Sequence, residues 1–189
     1  MHGAMSPIEI AAFVLGLANV TLLVRRSIWN YPFALAMVTL YAWVFREQKL
    51  YSDMLLQGFF FAVNLYGWWY WARSLEAEGD IVVERMTPLA RGAWLAGCAA
   101  AAIGWGWLMH LHTDAAYPWW DAAVAMMSVV AQILQSRRRI ENWVMWIAVD
   151  VVAIGLYGAR GLWLTAVLYL IFLLLSVWGL IDWRRAERR

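Results

Sequence analysis

Asp150 lies in the middle of an apolar stretch that contains no other charged residue between Asn142 and Tyr157. If this stretch is a helix, with about 100° of rotation per residue, Trp143, Trp146 and Tyr157 share a face with Asp150. An ionisable group inside a membrane helix is energetically expensive and is usually there for function. A tryptophan beside a carboxylate suits a flat cationic ring, because stacking and cation–π attraction act together. The pattern therefore predicts a ligand-binding site.

Three other stretches, which include Gln135 and Ser176, also carry polar or aromatic residues on a single helical face. Such groups could instead join helices through hydrogen bonds, and Asn142 could be a helix cap like Asn30. Because four such faces are expected to converge, we predict that they line one substrate site. The candidate substrate-binding residues are Gln57, Asn64, Trp68, Asp121, Ser128, Gln132, Asn142, Trp143, Trp146, Asp150, Tyr157 and Tyr169.

The composition indicates which class of protein must position these residues. Of the 189 residues, 64% are hydrophobic and 15% are charged, whereas soluble domains average about 45–50% apolar and about 25% charged residues. A soluble domain of this size cannot keep so much apolar surface out of water, so the lipid bilayer must be the solvent. This excludes most cytosolic enzymes and nucleic-acid binders. The single Cys98 cannot form an internal disulfide, and we expect neither a metal site nor a cofactor.

Seven stretches are long and apolar enough to form transmembrane helices of about 20 residues each. The capping-box pattern Ser6-Pro7-Ile8-Glu9 begins the first, and no basic segment precedes it to mark a cleaved signal peptide. All lysines and arginines except Arg46, Lys49 and Arg160 fall on one side, which predicts an external amino terminus and a cytoplasmic carboxyl terminus. The predicted spans are 6–24, 28–45, 51–72, 88–109, 117–136, 140–158 and 161–183.

A constant shift of 112 residues, which we call the repeat offset, brings the two ends of the chain into register without a gap. The matched pairs are Arg25 with Arg137, Arg26 with Arg138, Ile28 with Ile140, Asn30 with Asn142, Phe60 with Phe172, Gly67 with Gly179, Trp71 with Trp183 and Arg73 with Arg185. We therefore predict two three-helix repeats, in residues 6–74 and 117–186, separated by an acidic cytoplasmic loop and a linker helix in residues 75–116. The loop carries Glu76, Glu78, Asp80 and Glu84, and we expect it to be a solvated linker.

The single linker helix makes the two predicted repeats parallel, because repeats with three helices each would be inverted if they were joined directly. Parallel repeats about an axis along the membrane normal occur in the SWEET sugar carriers, and such transporters bind substrate near the bilayer midplane. The predicted fold is therefore an all-α membrane protein with seven transmembrane helices in a parallel three-one-three, SWEET-like arrangement. This architecture indicates transport.

Several segments resemble the PnuC-type vitamin transporters, and together they extend over nearly the whole chain. The most specific is R-R-R-I-E-N-W-V-M-W-I-A-V-D from Arg137 to Asp150, which resembles the signature region of that family. L-Y-S-D-M-L-L-Q-G-F from Leu50 to Phe59 and Y-G-W-W-Y-W from Tyr66 to Trp71 are also similar. Carried over by motif, the resemblance places Asn142, Trp143, Trp146 and Asp150 in the sixth-helix motif of the family and Gln57 and Asn64 in its third-helix region.

The resemblance implies a bacterial inner-membrane carrier, surrounded by membrane lipid, that forms a homotrimer. It implies import of a vitamin-type nucleoside, nicotinamide riboside, by facilitated diffusion, with phosphorylation inside the cell preventing its return. Sister groups of the family carry other vitamins, including thiamine and riboflavin. Nicotinamide riboside and thiamine both carry a cationic ring, so the tryptophan and carboxylate pattern does not distinguish them.

Two alternatives to a passive carrier stay open. A proton-coupled carrier would use Asp150 or Asp121 as its proton site. A membrane enzyme acting on a lipid would need a convergent catalytic set, and no D-x-x-D motif or pair of histidines lies within a predicted span. We therefore expect a transporter that is not an enzyme and that binds no nucleic acid.

Overall fold

The computed structural model describes residues 7–47, 51–113, 117–159, 161 and 163–187, and these residues form seven α-helices without a β-strand. The expectation of an all-α chain with seven helices is confirmed for this part of the sequence. Ser6, Lys49, Arg160, Arg188 and Arg189, which entered the capping and charge arguments, lie outside the described residues. The helices are α1 Pro7–Val24, α2 Asn30–Glu47, α3 Tyr51–Glu78, α4 Pro88–His112, α5 Pro118–Ser136, α6 Glu141–Ala159 and α7 Trp163–Glu187.

The outer surface of the helices is strongly apolar, as a lipid solvent requires. Leucine and tryptophan side chains such as Leu89 and Trp163 are mostly exposed, and many valines and isoleucines are also exposed. Three helical segments are both long and apolar enough to cross a membrane by themselves, namely α4, α6 and Thr165–Glu187 of α7. The apolar part of α1, Ile10–Val24, is shorter. An exposed apolar surface on this scale marks contact with a membrane or a partner.

The third helix extends further than the sequence predicted. Glu76 and Glu78 lie on α3 and not in the following loop, because the helix continues until Gly79, whose φ of 73° ends it. Gly79 donates its backbone N–H to the Leu75 carbonyl at 3.0 Å, which is a left-handed helix end. The connection to α4 is therefore the short segment from Gly79 to Thr87.

The expectation that the acidic segment is a solvated linker was also wrong for Glu84. Its backbone accepts a hydrogen bond from Ile140 N–H at 2.9 Å, and its carboxylate pairs with Arg138 at 2.8 Å and with Arg139 at 2.9 Å. Glu141 similarly accepts hydrogen bonds from Met86 N–H at 3.1 Å and from Arg91 Nε at 2.8 Å. These contacts fasten the segment before α4 to the turn between α5 and α6.

The chain divides into two compact units, Met1–Val82 and Val83–Arg189. In the first unit α2 packs against both α1 and α3. In the second unit α5 packs against α4 and α6, and α6 packs against α7.

The turn between α1 and α2 and the turn between α5 and α6 have the same geometry, so it occurs once in each unit. Arg26 and Arg138 have positive φ angles of 54° and 58°, a conformation that costs a non-glycine residue about 1–2 kcal/mol. In each turn, the arginine N–H bonds to the carbonyl three residues back, and the next N–H bonds to the carbonyl five residues back. This is the Schellman pattern that ends a helix. The two arginines are separated by the repeat offset of the sequence.

Each unit also contains an edge-to-face aromatic pair that packs on a glycine. Tyr31 and Trp71 lie 5.3 Å apart at 89° in the first unit, and Trp143 and Trp183 lie 5.6 Å apart at 86° in the second. All four side chains are buried. A Cβ atom at Gly67 would lie 2.6 Å from Tyr31 Oη, and one at Gly179 would lie 2.5 Å from the Trp143 ring. Glycine is required here because the ring occupies the space of a side chain.

The two glycine contacts predict specific losses of stability. Gly67→Ala and Gly179→Ala should each lower the unfolding temperature of the purified protein in detergent, because overpacking destabilises a core by about 1–3 kcal/mol. Gly104→Ala on α4 is the matched control, since a Cβ atom there would have nothing within 4 Å. That control should be neutral or stabilising by up to about 1 kcal/mol through helix propensity. Equal unfolding temperatures for all three variants would contradict the packing.

Candidate functional site

The recurrence of the turn and the aromatic pair separates scaffold residues from candidate binding residues. Asn30 and Asn142 are buried, and each donates its side-chain Nδ2 at 2.7 Å to the carbonyl three residues earlier. These side chains close the turns before α2 and α6. Tyr31 occupies in the first unit the position that Trp143 occupies in the second.

Asn142 and Trp143, two of the predicted substrate-binding residues, lie at this turn. Asn142 Nδ2 donates to the Arg139 carbonyl, but its Oδ1 accepts no hydrogen bond among the described residues, so it is not a helix N-cap. The Trp143 ring is 1% exposed between Trp183 and Gly179, and its Nε1 has no hydrogen-bond partner among the described residues. The place of both residues in a substrate site stays a prediction from the sequence pattern.

The other candidates on α6 have apolar counterparts in the first unit, one repeat offset earlier. Asp150 corresponds to Val38, and Trp146 corresponds to Ala34. Helix packing alone therefore does not require a carboxylate or a tryptophan at these positions, because the first unit builds the same turn and aromatic pair without them. The differences between the repeats point to function.

Asp150 is held between α6 and α7. Its side chain is almost fully buried, and Ser176 Oγ of α7 donates a hydrogen bond to Asp150 Oδ2 at 3.0 Å. Asp150 lies nine residues into α6, or about 13 Å along the axis at 1.5 Å per residue, which is close to the middle of a bilayer core about 30 Å thick. A carboxylate at this depth can bind a cation or exchange a proton.

Trp146 lies one helical turn before Asp150 and is fixed by α5. Its Nε1 donates a hydrogen bond to Gln135 Oε1 at 3.0 Å, and the Gln135 side chain is buried. Gln132, one turn earlier on α5, is also buried, whereas the Trp146 ring is only half-buried against a core cluster that includes Val130, Leu134 and Met145. The indole is thus held at its nitrogen while part of the ring remains accessible.

Tyr157 and Tyr169 form a stacked pair at the other end of the face that carries Asp150. Their ring centroids lie 5.3 Å apart with planes inclined by 20°, which joins the end of α6 to the start of α7. Tyr157 lies two helical turns beyond Asp150, about 10 Å along the axis. The two tyrosines and Trp146 are therefore on opposite sides of the carboxylate along α6.

The remaining candidates of the second unit lie on α5. Ser128 is half-buried, and its Oγ donates a hydrogen bond to the Val124 carbonyl of the same helix at 2.8 Å. Asp121 is half-buried in the first turn of α5, where a negative charge is favourable. Both residues stay candidates on the α5 face that contains Gln132.

Three candidates belong to α3 in the first unit. Asn64 is buried and donates its Nδ2 to the Phe60 carbonyl at 2.9 Å, Gln57 is half-buried, and Trp68 is exposed. Their place in a binding site stays a prediction from the sequence pattern.

Gln135 and Ser176 are two residues that the candidate set omitted. Both lie on polar faces visible in the sequence, yet only the structure shows that each makes a hydrogen bond to a candidate residue on a neighbouring helix. The sequence signal for both residues is their position on a polar helical face. The sequence does not show that their side chains reach α6. Among the described residues, no group of three or more histidine, cysteine, aspartate or glutamate side chains could hold a metal ion.

Comparison with known proteins gives consistent matches over nearly the whole chain. The family described as nicotinamide mononucleotide transporter matches residues 6–185. The nicotinamide riboside transporter PnuC of Escherichia coli is 29% identical over an alignment of 209 residues with gaps, which covers 97% of this chain and 87% of that protein. The riboflavin/roseoflavin transporter RibM of Streptomyces davaonensis is 32% identical over 180 residues, which cover 93% and 84% of the two chains.

A solved structure is also similar. The crystal structure of the vitamin B3 transporter PnuC aligns with a TM-score of 0.76 and 27% sequence identity, and the alignment covers 95% of this chain and 81% of that chain. The nicotinamide riboside transporter PnuC of Neisseria mucosa is 31% identical over an alignment of 192 residues with gaps, which covers 94% of this chain and 72% of that protein.

The contact between Gln135 and Trp146 predicts a measurable coupling. Gln135→Leu should destabilise the protein by about 1–3 kcal/mol, because it leaves the indole N–H without its acceptor. Trp146→Phe removes the donor. In thermal unfolding of the purified protein, the double variant should be more stable than the sum of the single effects by about 0.5–1.5 kcal/mol. Strict additivity would show that the two side chains do not interact.

Proposed function

We propose that this chain, which belongs to the nicotinamide mononucleotide transporter family of membrane vitamin transporters, imports nicotinamide riboside by facilitated diffusion. The observation that carries the proposal is the buried Asp150 carboxylate beside Trp146, on a multi-pass membrane protein. Nicotinamide riboside presents a flat pyridinium ring with one positive charge. The carboxylate attracts that charge, and the accessible part of the indole provides a stacking face.

The charges of α5 and α6 favour the nucleoside over the phosphorylated mononucleotide. Every charged residue in these two helices is acidic, namely Asp121, Glu141 and Asp150. A phosphate group would be repelled by these carboxylates and would require arginine or lysine partners at membrane depth. The ribose hydroxyls of a nucleoside instead suit amide and hydroxyl groups such as those of Gln132 and Ser128.

The charge of the substrate also separates the alternatives within the family. Riboflavin, which RibM carries, has a neutral ring system and gains no attraction from Asp150. Thiamine has a cationic ring and meets the same requirement as nicotinamide riboside, so it is the second candidate. The proposed contact set in the second unit is Asp121, Ser128, Gln132, Asn142, Trp143, Trp146, Asp150, Tyr157 and Tyr169, with Gln57, Asn64 and Trp68 of α3 as candidates from the sequence.

We further propose the parallel three-one-three helix order, with α4 as the linker helix. The support is that the Schellman turn, the hydrogen bond from the asparagine side chain to the turn carbonyl and the aromatic pair of the first unit recur in the second. The SWEET-like arrangement and the homotrimer rest on the family resemblance. Placement in the inner membrane, with the amino terminus outside, rests on that resemblance and on the charge bias.

The proposed carrier couples to no ion, and phosphorylation of the imported nucleoside keeps it in the cell. A proton-coupled carrier is the second candidate, because Asp150 is a carboxylate at mid-membrane depth. The two differ in one observable property: a passive carrier equilibrates its substrate and does not accumulate it.

Uptake by proteoliposomes tests the substrate. Purified protein should equilibrate labelled nicotinamide riboside, and excess unlabelled nicotinamide riboside should compete strongly. Thiamine should compete less, because it has a cationic ring but no ribose hydroxyls for Gln132 and Ser128. Riboflavin, which lacks the positive charge, and nicotinamide mononucleotide, which adds a phosphate, should compete least. Stronger competition by riboflavin or by the mononucleotide would overturn the assignment of the substrate.

The same assay with Asp150→Asn tests the role of the carboxylate. Asparagine preserves the shape of the side chain and its hydrogen-bonding capacity but removes the charge, so apparent affinity should fall about tenfold while exchange persists at high substrate concentration. Glu47→Gln at the end of α2 is the control, because it removes one negative charge outside the proposed contact set. If the wild type accumulates substrate under an inward proton gradient and Asp150→Asn does not, the carrier is proton-coupled.

The charge bias predicts the topology. A reporter fused after Arg189 should be cytoplasmic, and one inserted between His112 and Tyr117 should be periplasmic, because twelve of the fifteen basic residues lie on the side of the carboxyl terminus. Alkaline phosphatase and green fluorescent protein fusions measure the two locations independently. An external carboxyl terminus would contradict the orientation, and both reporters on one side would contradict the three spans predicted between them.

A further inference from the structure

We propose that the second unit binds an anionic phospholipid in a cleft beside the turn that joins α5 and α6. The cleft has a volume of about 280 Å³ and is lined by all four helices of the unit and by the segment before α4. Val130 and Leu134 of α5 are buried residues of its lining. It is separate from the proposed substrate site, because Asp150, Trp146 and the tyrosine pair do not line it.

Three arginines approach the cleft from three different elements. Arg85 comes from the segment before α4, Arg91 from the first turn of α4 and Arg184 from the last turns of α7. Glu141 is the one acidic lining residue, so the described lining carries an excess of positive charge. Arginine clusters between membrane helices are the chemistry that binds phospholipid headgroups.

The ion pairs of these arginines indicate which of them is available. Arg91 Nε contacts Glu141 Oε1 at 2.8 Å, and Arg85 Nε contacts Glu187 Oε1 at 2.6 Å. The hydrogen bond to Glu187 raises the pKa of Arg85 above its usual value. Arg184 is exposed and has neither an ion pair nor a hydrogen bond from its side chain within the described part of the chain. An anion at Arg184 would therefore displace no existing ion pair.

The remaining walls select a lipid over a free phosphate. Apart from the three arginines and Glu141, the lining is apolar, with Trp94 and Leu95 on α4, Val144 on α6 and Leu180 on α7. Leu95 and Val144 are 59% and 49% exposed, so the cleft opens onto the apolar outer surface of the protein. A phospholipid fits both the charged and the apolar part of the cleft. Its phosphodiester would contact the arginines, and an acyl chain would lie along Leu95 and Val144. In the proposed orientation, the cleft lies in the cytoplasmic leaflet.

Native mass spectrometry of the full chain in neutral detergent tests the site, with phosphatidylglycerol as the probe. The wild type should retain phosphatidylglycerol in preference to phosphatidylcholine. Arg184→Gln should weaken retention about fivefold, the value expected for one basic residue at a membrane surface. Arg184→Lys should retain most of the binding. Arg185→Gln is the matched control, because Arg185 is an exposed neighbour on α7 that does not line the cleft.

A second arm separates a lipid from a free anion. Thermal stabilisation of delipidated protein should respond to phosphatidylglycerol and not to inorganic phosphate or glycerol 3-phosphate. Val144→Trp, which fills the exposed mouth of the cleft, should reduce phosphatidylglycerol retention without lowering the unfolding temperature. Equal weakening by Arg184→Gln and Arg185→Gln would show general surface attraction, and equal stabilisation by inorganic phosphate would show an anion site. Either result overturns the proposal.

Discussion

The packing of the Trp143 ring against Gly179 fixes the distance between α6 and α7, and the candidate site depends on that distance. The ring occupies the space that a Cβ atom would need, so the two helices approach closely at this level. Asp150 lies two helical turns from Trp143, and Ser176 lies one turn from Gly179. Further along the same interface between α6 and α7, the Ser176 hydroxyl lies 3.0 Å from the carboxylate. A looser crossing would leave a carboxylate in an apolar environment without this donor.

The repeat separates the requirements of folding from the requirements of binding. Positions that match under the repeat offset build the turn and its asparagine hydrogen bond, and Tyr31 and Trp143 each pair with the tryptophan of the third helix of their repeat, with nearly the same geometry in each unit. The proposed binding chemistry lies at positions that differ, such as Asp150 against Val38. A duplicated scaffold can accept a buried carboxylate in one copy because its stability comes from the residues that both copies retain.

The number and approximate limits of the helices could be predicted from the sequence because a span requires an uninterrupted apolar run. The end of α3 could not, because Glu76 and Glu78 are good helix formers and only the left-handed Gly79 stops the helix. The helical-wheel argument placed Asp150 and Trp146 on one face. It could not show which polar residue of a neighbouring helix reaches them, because hydrogen bonds such as that from Trp146 to Gln135 depend on helix spacing and on side-chain rotamers.

Asn142 shows why a motif alone does not give each of its residues a role. It lies beside Trp146 in the most specific segment of the chain, yet Asn30 occupies the matched position in the first unit and makes the same hydrogen bond. That hydrogen bond therefore has a structural explanation, whereas Asp150 and Trp146 have no polar or aromatic counterpart in the first unit. The distribution of charge follows the same division. The charged residues of α5 and α6 are all acidic, and these are the helices along which the proposed cationic substrate would pass. The arginines of the cleft lie near helix ends, at the level of lipid headgroup phosphates.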